Sequence, residues 1–456
     1  MTANQLRRNK MHNKRNEKTM REMFKKQSHD ITDNIDKFIK PIDDIKIGFE
    51  SEVSVFREDI SIDELGQIRN EIIKEVENEC YDMELGVTQI EFRTPPVYLN
   101  GNRQGFKDLS VVYKENFEKL LRIARQKNVS ILRIGSNPFF PITNTPRTNK
   151  MKYKIVPDYH NYYRQKMIET KIGINGLKIE AGDAAIVSLF QSFQINVEAK
   201  SLDDSIDKMN RSFMIGPYIL ALSGNSRYLE LKDTGFNDVR FPAWEISHDT
   251  RKIKQIMNDC NLRVGLPNRY FVDIADYFRR IQEFPFMLFD AENAFKIGIG
   301  LTWMDTRIKF IDNSAVVEFR LIPTQPNIED EIALAEFYVG RLTYSQVKNE
   351  ILLPLSLVRE NRFNCFHYGI KGNYWYISDE GVIRKDKGRH VLGLETKRAE
   401  IGLEFASLSN GSVLEKVFTR LDEGSPSDNL CNLLKKQVDV DKKEMVYALA
   451  SSKMLI

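Results

Sequence analysis

Glutamates occur within segments that otherwise have the alternating apolar pattern of β-strands. In residues 47–56, Glu50 and Glu52 project from one face and the apolar side chains from the other, because side chains alternate along a strand. A buried carboxylate must be paired or coordinated, since an isolated charge is costly in apolar surroundings. Several carboxylates with one or two arginines suit a divalent cation and the phosphates it holds. The full set is Glu50, Glu52, Glu84, Glu91 and Glu318.

Strand and helix signals are interspersed without βαβ regularity, which predicts an α+β fold with a largely antiparallel sheet. Residues 45–56, 87–93, 129–134 and 188–198 are expected to be strands. Helices are expected after Ser61, Ser201 and Asn327, each a capping residue followed by helical spacing. Residues 296–310 and 315–322 predict a hairpin around the turn pair Asp312-Asn313.

The hairpin adds charge to the polar face of this sheet. Its first strand is expected to place Trp303, Asp305 and Arg307 on one face, and its second offers Glu318 and Arg320. With Glu50, Glu52, Glu91, Gln194 and Asn196 these would form one polar surface. For any single residue, simple exposure of a sheet face to water remains an alternative.

If this surface lines a cavity, it has the groups needed to bind a metal–nucleotide complex. Carboxylates can hold Mg²⁺ ions that bridge the phosphates of ATP, and Arg307 and Arg320 could stabilise charge on a transferring phosphoryl group. No G-x-x-x-x-G-K-[ST] loop is present, so ATP would be held through metals and sheet side chains.

Composition narrows the class of protein and its location. The 456 residues are 42% apolar with a formal net charge of +3, which fits a globular protein and makes nucleic acid an unlikely partner. The basic N-terminus could be a contact arm or a solvated helix. The widely spaced cysteines suggest no zinc or disulfide framework, and no apolar run is long enough to cross a bilayer. A cytoplasmic location is expected.

The histidines and one apolar helix face are two smaller features of the sequence. The scattered histidines, such as His160 and His248, are expected to be ordinary surface or core residues. The apolar side of residues 329–342 is expected to face the core or another subunit, which leaves a homo-oligomer open.

A series of short motifs follows in order over residues 45–375. They are Gly48-Phe-Glu-Ser-Glu52, Glu84 and Glu91 with Thr94-Pro95, Gly135-Ser-Asn-Pro-Phe139, Ser192-Phe-Gln-Ile-Asn196, the segment 221–226 with Arg240 and Trp244, Trp303-Met-Asp-Thr-Arg307, Val317-Glu-Phe-Arg320, and Glu360-Asn-Arg-Phe363. Together they resemble the glutamate–cysteine ligase and carboxylate–amine ligase family, whose catalytic domain is similar to that of glutamine synthetase. Singly each motif is weak, and their joint order carries the resemblance.

The resemblance implies a curved, mostly antiparallel sheet that forms a funnel-like active site, with helices packed outside. It implies that ATP phosphorylates a carboxylate, usually the γ-carboxyl of glutamate, and that an amine such as that of cysteine attacks the acyl phosphate. The implied roles are metal binding by Glu50, Glu52, Glu84, Glu91 and Glu318; nucleotide binding by Gln194 and Asn196; catalysis by Arg307, Arg320 and Glu318; and substrate binding by Arg240 and Trp244.

Two departures from the family pattern concern the substrates. Asn137 stands where the family often has histidine, and Asn237-Asp-Val precedes Arg240 where serine is common. Both leave the acceptor amine open. Two other functions also remain open: a guanidino or carboxylate phosphotransferase, and a non-catalytic nucleotide-binding protein.

The expected organisation has three parts. Residues 1–40 would be a basic helical extension, 41–390 the catalytic domain, and 391–456 a helical C-terminal segment.

Overall fold

The computed structural model describes residues 3–41, 45–76, 79–99, 104–164, 170–173, 179–284, 292–408 and 414–456. Its strands, in chain order, are β1 Lys46–Phe56, β2 Tyr81–Met83, β3 Gln89–Arg93, β4 Val97–Tyr98, β5 Ser130–Leu132, β6 Lys171–Ile172, β7 Ile179–Glu180, β8 Phe193–Glu198, β9 Tyr228–Leu229, β10 Lys232–Asp233, β11 Val264–Gly265, β12 Trp303–Met304, β13 Thr306–Ile311, β14 Ser314–Phe319, β15 Asn373–Ile377 and β16 Ile383–Lys387.

Helices lie between and around these strands. They are α1 Ala3–Thr32, α2 Ile62–Val76, α3 Gln104–Gln126, α4 Met151–Tyr163, α5 Leu202–Ser223, α6 Arg240–His248, α7 Ile253–Met257, α8 Ile274–Ile281, α9 Ala294–Gly300, α10 Ile328–Val347, α11 Leu355–Tyr368, α12 Gly388–Phe405, α13 Glu415–Glu423, α14 Pro426–Leu433 and α15 Lys442–Ser451.

An eight-stranded, strongly curled antiparallel sheet organises the molecule, which confirms the predicted α+β class. Its main path runs β13-β14-β8-β1-β3-β2, and β4 and β5 also pair with β1. The register brings distant parts of the chain side by side: Glu50 lies opposite Gln194, and Glu52 lies opposite Glu91. Glu318 lies between Arg307 and Asn196. Polar residues from separate strands therefore meet on one face.

The opposite face of the sheet is packed into the core. Phe49 and Val53, on the apolar side of β1, are fully buried. The rings of Phe49 and Phe193 pack edge to face with centroids 5.1 Å apart, which joins β1 to β8. On β14, Phe319 stacks on Tyr338 of α10 at 4.4 Å, so that side of α10 faces the core. The alternation predicted from the sequence is confirmed here.

Helix starts were predicted well, and strand starts less well. Ser61, Ser201 and Asn327 each accept a backbone N–H as expected of helix N-caps. The second predicted strand begins at Gln89, so Glu84 lies in the loop after β2 instead of on a strand. The predicted hairpin begins at Thr306, because residues 294–300 form α9; its turn at Asp312 is confirmed, with φ of 51°.

The N-terminal helix α1 packs on the domain. Phe24 is fully buried, stacked 5.4 Å from Phe295 of α9, and Arg21 donates to the carbonyl of Phe284 at 3.0 Å. The boundary expected at residue 390 falls inside α12, which packs closely on α10, so the division into domains stays a prediction. Among the described residues, no helix is both long and apolar enough to span a bilayer.

Candidate active site

A cavity of about 350 Å³ opens on the polar face of the sheet. It brings together most of the residues predicted for the site, because β1, β8 and the β13–β14 hairpin are neighbours in the sheet. The predicted residues on its wall are Glu50, Glu52, Glu84, Glu91, Gln194, Arg240, Trp244, Arg307 and Arg320. Glu318 and Asn196 are not on that wall; they lie directly behind it, hydrogen-bonded to Arg320 and Glu50, respectively.

One end of the cavity is acidic. Burial, together with the charge of Glu84, raises the pKa of Glu52 to about 8. Burial also raises the pKa of Glu91 well above its usual value, and the charges of Glu50, Glu84 and Glu52 add to the effect. These glutamates are therefore close enough to repel one another, and the folded protein favours protons on Glu52 and Glu91 at neutral pH.

The other end is cationic. Glu318 is fully buried, and it forms salt bridges with Arg307, with Lys309 and, at 2.5 Å, with Arg320. Burial alone would raise its pKa, but these three cations hold the pKa of Glu318 well below the usual range. Glu318 is therefore an ionised anchor that fixes two arginines towards the cavity.

Amides connect the two ends. Gln194 Nε2 donates to Glu52 at 3.2 Å, while its Oε1 accepts from Arg320 at 3.2 Å. Asn196 Nδ2 donates to Glu50 at 3.1 Å. Both amides orient carboxylates, and Gln194 also reaches the cavity.

These residues fit a divalent metal–nucleotide complex in their donor chemistry. Oxygen donors from Glu50, Glu52, Glu84 and Glu91 are the type that Mg²⁺ prefers, and the raised pKa values of Glu52 and Glu91 mark excess negative charge that a cation would relieve. Arg320 lies on the cavity wall, and its buried Nε has no hydrogen-bond partner in the described structure. Among the residues that the structure describes, no three histidine, cysteine, aspartate or glutamate side chains lie in an arrangement that could hold a metal ion.

The predicted substrate arginine is already partnered. Arg240 Nε donates to both carboxylate oxygens of Asp238, at 3.2 and 3.0 Å, and its other nitrogens donate to the carbonyls of Gln191 and Leu321. Its charge is thus largely matched by Asp238. The role of Arg240 in substrate binding stays a prediction.

Aromatic side chains form the wall beyond Arg240. The ring centroids of Trp244 and Trp303 are 5.8 Å apart, and those of His248 and Trp303 are 5.2 Å apart. Burial and neighbouring His160 lower the pKa of His248 well below its usual value, so His248 is neutral. Its Nε2 and the Nε1 of Trp244 have no hydrogen-bond partner among the described residues. This end suits an uncharged or aromatic group with one polar contact.

Sequence reasoning misplaced one residue of this region and missed three others. Asp305 is fully buried outside the cavity, where Arg362 holds it at 2.6 and 2.7 Å, because the chain leaves the strand between β12 and β13. Lys309 was missed, although the same two-residue alternation from Arg307 would have found it. Tyr153 and His248, from α4 and α6, reach the cavity through contacts with no local sequence signal.

Comparison with known proteins supports the resemblance seen in the sequence. A protein of Trichormus variabilis with the provisional name glutamate–cysteine ligase 2 is 27% identical over 256 residues, which are 54% of this chain and 58% of that protein. This chain therefore spans less than two thirds of that relative's length.

Two solved structures share the fold. A bifunctional glutathione synthetase from Pasteurella multocida gives a TM-score of 0.53 at 11% identity, covering 90% of this chain and 52% of that one. A glutamate–cysteine ligase from Francisella tularensis, solved in complex with AMP, gives a TM-score of 0.50 at 13% identity, covering 91% and 89%. At such low identity these likenesses concern the fold alone.

The profile of glutamate-cysteine ligase family 2 (GCS2) matches residues 46–444, from the first residue of β1 into α15. That range contains the curled sheet, the acidic end of the cavity and the hairpin with its two arginines. The chain belongs to glutamate-cysteine ligase family 2.

Proposed function

We propose that this protein is an ATP- and Mg²⁺-dependent carboxylate–amine ligase. It activates a carboxylate, the γ-carboxyl of glutamate, as an acyl phosphate and joins it to an amine. The observation that carries the proposal is the meeting of four glutamates and two arginines from separate elements around one cavity. Membership of the family supports the ligase class.

The acidic end would hold the divalent ions. Bound there, Mg²⁺ would neutralise and orient the phosphates of ATP. Glu50, Glu52, Glu84 and Glu91 would supply the carboxylate oxygens, and Gln194 would fix the orientation of Glu52, as it does through its 3.2 Å hydrogen bond. Ion binding would require Glu52 and Glu91 to release the protons that their raised pKa values favour.

The cationic end would stabilise the transferring phosphoryl group. Arg320 is anchored through NH1 to Glu318 and Gln194, which leaves its Nε to donate to a phosphate oxygen. Arg307 is anchored to the same glutamate and to the carbonyl of Gly300 at 2.8 Å. Rigidly held donors of this kind lower a barrier without reorganising during the reaction.

The substrates would meet at the aromatic wall. The amine must be uncharged to attack the acyl phosphate, and an environment that keeps His248 neutral also disfavours an ammonium ion. Trp244 and Trp303 would then exclude water, which would otherwise hydrolyse the activated carboxylate. Arg240 stays a candidate for contact with the carboxylate substrate.

The direct test is to incubate the protein with ATP, Mg²⁺, glutamate and a panel of amino acids and amines, and to follow ADP and products. ADP release that depends on both glutamate and an amine supports ligation. A stable phosphorylated product without any amine would instead indicate a phosphotransferase, and nucleotide binding without turnover a non-catalytic protein. Glu318→Gln should abolish turnover by releasing both arginines, and full activity in that variant would contradict these roles.

The location and partners belong to the same proposal. Cys260, Cys365 and Cys431 carry free thiols, which agrees with the predicted reducing cytoplasm. The partners proposed are small molecules. In the described part of α1, Met20 and Phe24 are buried, so this side of the helix packs on the rest of the protein.

A further inference from the structure

Lys309 lies between two of the glutamates that were predicted to bind metal. Its Nζ is 2.7 Å from Oε1 of Glu50, and it also forms a salt bridge with Oε1 of Glu318. The Lys309 side chain is only 21% exposed and Glu318 is fully buried. One ammonium therefore bridges two carboxylates from different strands.

The sheet fixes this bridge. Lys309 is on β13, two residues after Arg307 and on the same face, and its strand pairs with β14 across the tight turn at Asp312. β14 pairs with β8, and β8 with β1, which places Glu50 opposite Gln194. The lysine thus reaches across the β14–β8–β1 part of the sheet from a rigid hairpin.

Paired and unpaired carboxylates lie at different ends of the cavity. The Glu318 end holds three cationic side chains, Arg307, Lys309 and Arg320. At the other end, Glu52 and Glu84 form no salt bridge with any lysine or arginine that the structure describes, and Glu91 has only the half-exposed Arg93 at 3.3 Å. The carboxylates that lack a strong cationic partner, and could take up an added cation, are therefore at the Glu52 end.

We propose that Lys309 is a tethered cation that occupies a divalent-ion position between Glu50 and Glu318, so that added metal ions bind only at the Glu52, Glu84 and Glu91 end. The inference rests on the proposed ATP-dependent function. An ammonium has three N–H donors, and two of them are used on the glutamates. Lys309 is thus assigned as a residue that takes the place of one ion.

The test counts ions. Mn²⁺ bound per protein is measured by equilibrium dialysis and metal analysis, in the presence of a saturating, non-hydrolysable ATP analogue. Lys309→Met should bind one more Mn²⁺ than the unaltered protein, because Glu50 and Glu318 then lose the ammonium that lies between them.

Two controls separate this effect from a general loss of charge. Lys309→Arg keeps the cation and should bind the original number of ions. Lys40→Met removes a lysine on the same sheet that pairs with Glu198, which is not one of the predicted metal ligands, and should also leave the count unchanged. Lys309→Gln repeats the measurement if the methionine variant does not fold.

The outcomes are distinct. Equal, non-zero counts in the unaltered protein and in Lys309→Met overturn the role of Lys309 and leave the ligase proposal standing, since an ion would then be displacing the lysine. No nucleotide-dependent ion in either protein overturns both proposals.

Discussion

Replacing Glu52 by glutamine should stabilise the ion-free protein at pH 8, although Glu52 is proposed to be essential for metal binding. Burial and the charge of Glu84 raise the pKa of Glu52 to about 8, from a reference value of 4.5. Between these two values the folded protein holds a proton that the unfolded chain has lost. The free energy of unfolding of the unaltered protein therefore falls as the pH rises towards 8.

The size of the effect follows from this shift. Above the unfolded-state pKa, each pH unit lowers the free energy of unfolding by about 1.4 kcal/mol. At pH 8 the loss is therefore at most about 5 kcal/mol. Glutamine keeps an acceptor for the backbone N–H of Ser192 but disturbs the hydrogen bond from Gln194, at a cost of about 1 kcal/mol. Because about 5 kcal/mol is an upper bound, we expect a net gain of roughly 3 kcal/mol at pH 8 and almost none at pH 5.

Thermal unfolding measures this difference. An unfolding entropy of about 2 cal/mol/K per residue gives roughly 1 kcal/mol/K for 456 residues, so the Tm of Glu52→Gln in EDTA should exceed that of the unaltered protein by about 3 °C at pH 8. At pH 5 the two should unfold together. Adding Mg²⁺ with an ATP analogue at pH 8 should raise Tm more for the unaltered protein, because it binds the ion more tightly.

Glu198 provides a control of opposite sign. It lies on the same sheet, but Lys40 and Ser314 hold its pKa below the usual value although burial alone would raise it. Its contribution to stability is present at pH 8 and is lost as the pH falls, so Glu198→Gln should lower Tm at pH 8. If Glu52→Gln also lowered Tm, by the same amount at pH 5 and pH 8, the inferred crowding of carboxylates would be wrong.

Three further predictions concern the scaffold and the arginines. Gly402→Ala should lower the free energy of unfolding, measured in urea, by about 3 kcal/mol, since its Cβ would lie 1.7 Å from a carbonyl oxygen of α10. Gly393→Ala is the control in the same helix: its Cβ would meet only one atom, at 3.7 Å, so the change should be neutral or stabilising. Arg362→Met should cost about 3–5 kcal/mol by leaving Asp305 buried and unpaired, and adding Asp305→Leu should restore much of it. Arg320→Lys should lower kcat about 100-fold in the ligase assay with normal folding by circular dichroism, and an unchanged kcat would remove Arg320 from the mechanism.

The sequence predicted the parts of this molecule that depend on local spacing. Alternation placed Glu50 and Glu52 on one face of β1, and capping residues such as Ser201 marked where helices begin. Position in the sheet was harder, because it depends on which strands pair and how the sheet curls. The predicted hairpin brings Arg307 opposite Glu318, but nothing in the local sequence indicates that Lys309 also reaches Glu50 on β1.

The same limit explains the error at Asp305. Alternation holds only while the strand continues, and here the chain passes from β12, which pairs in parallel with β11, to β13 in the main sheet. The interruption at Asp305 turns its side chain to Arg362 and not to the cavity. A single-residue break of this kind is decided by a partner 57 residues away in the sequence, which no local pattern records.

The departures from the family pattern now have a structural explanation that bears on the choice of amine. Asn137 uses its Oδ1 to accept from the backbone of Phe139 at 3.0 Å, and Asn237 bridges the carbonyl of Cys365 and the hydroxyl of Ser425. Neither is among the residues that line the cavity. These asparagines stabilise turns and contacts between segments, so in the proposed ligase reaction we do not expect them to select the acceptor directly. We propose that the aromatic wall makes that selection, because Trp244 and His248 line the cavity and each has an unpartnered nitrogen.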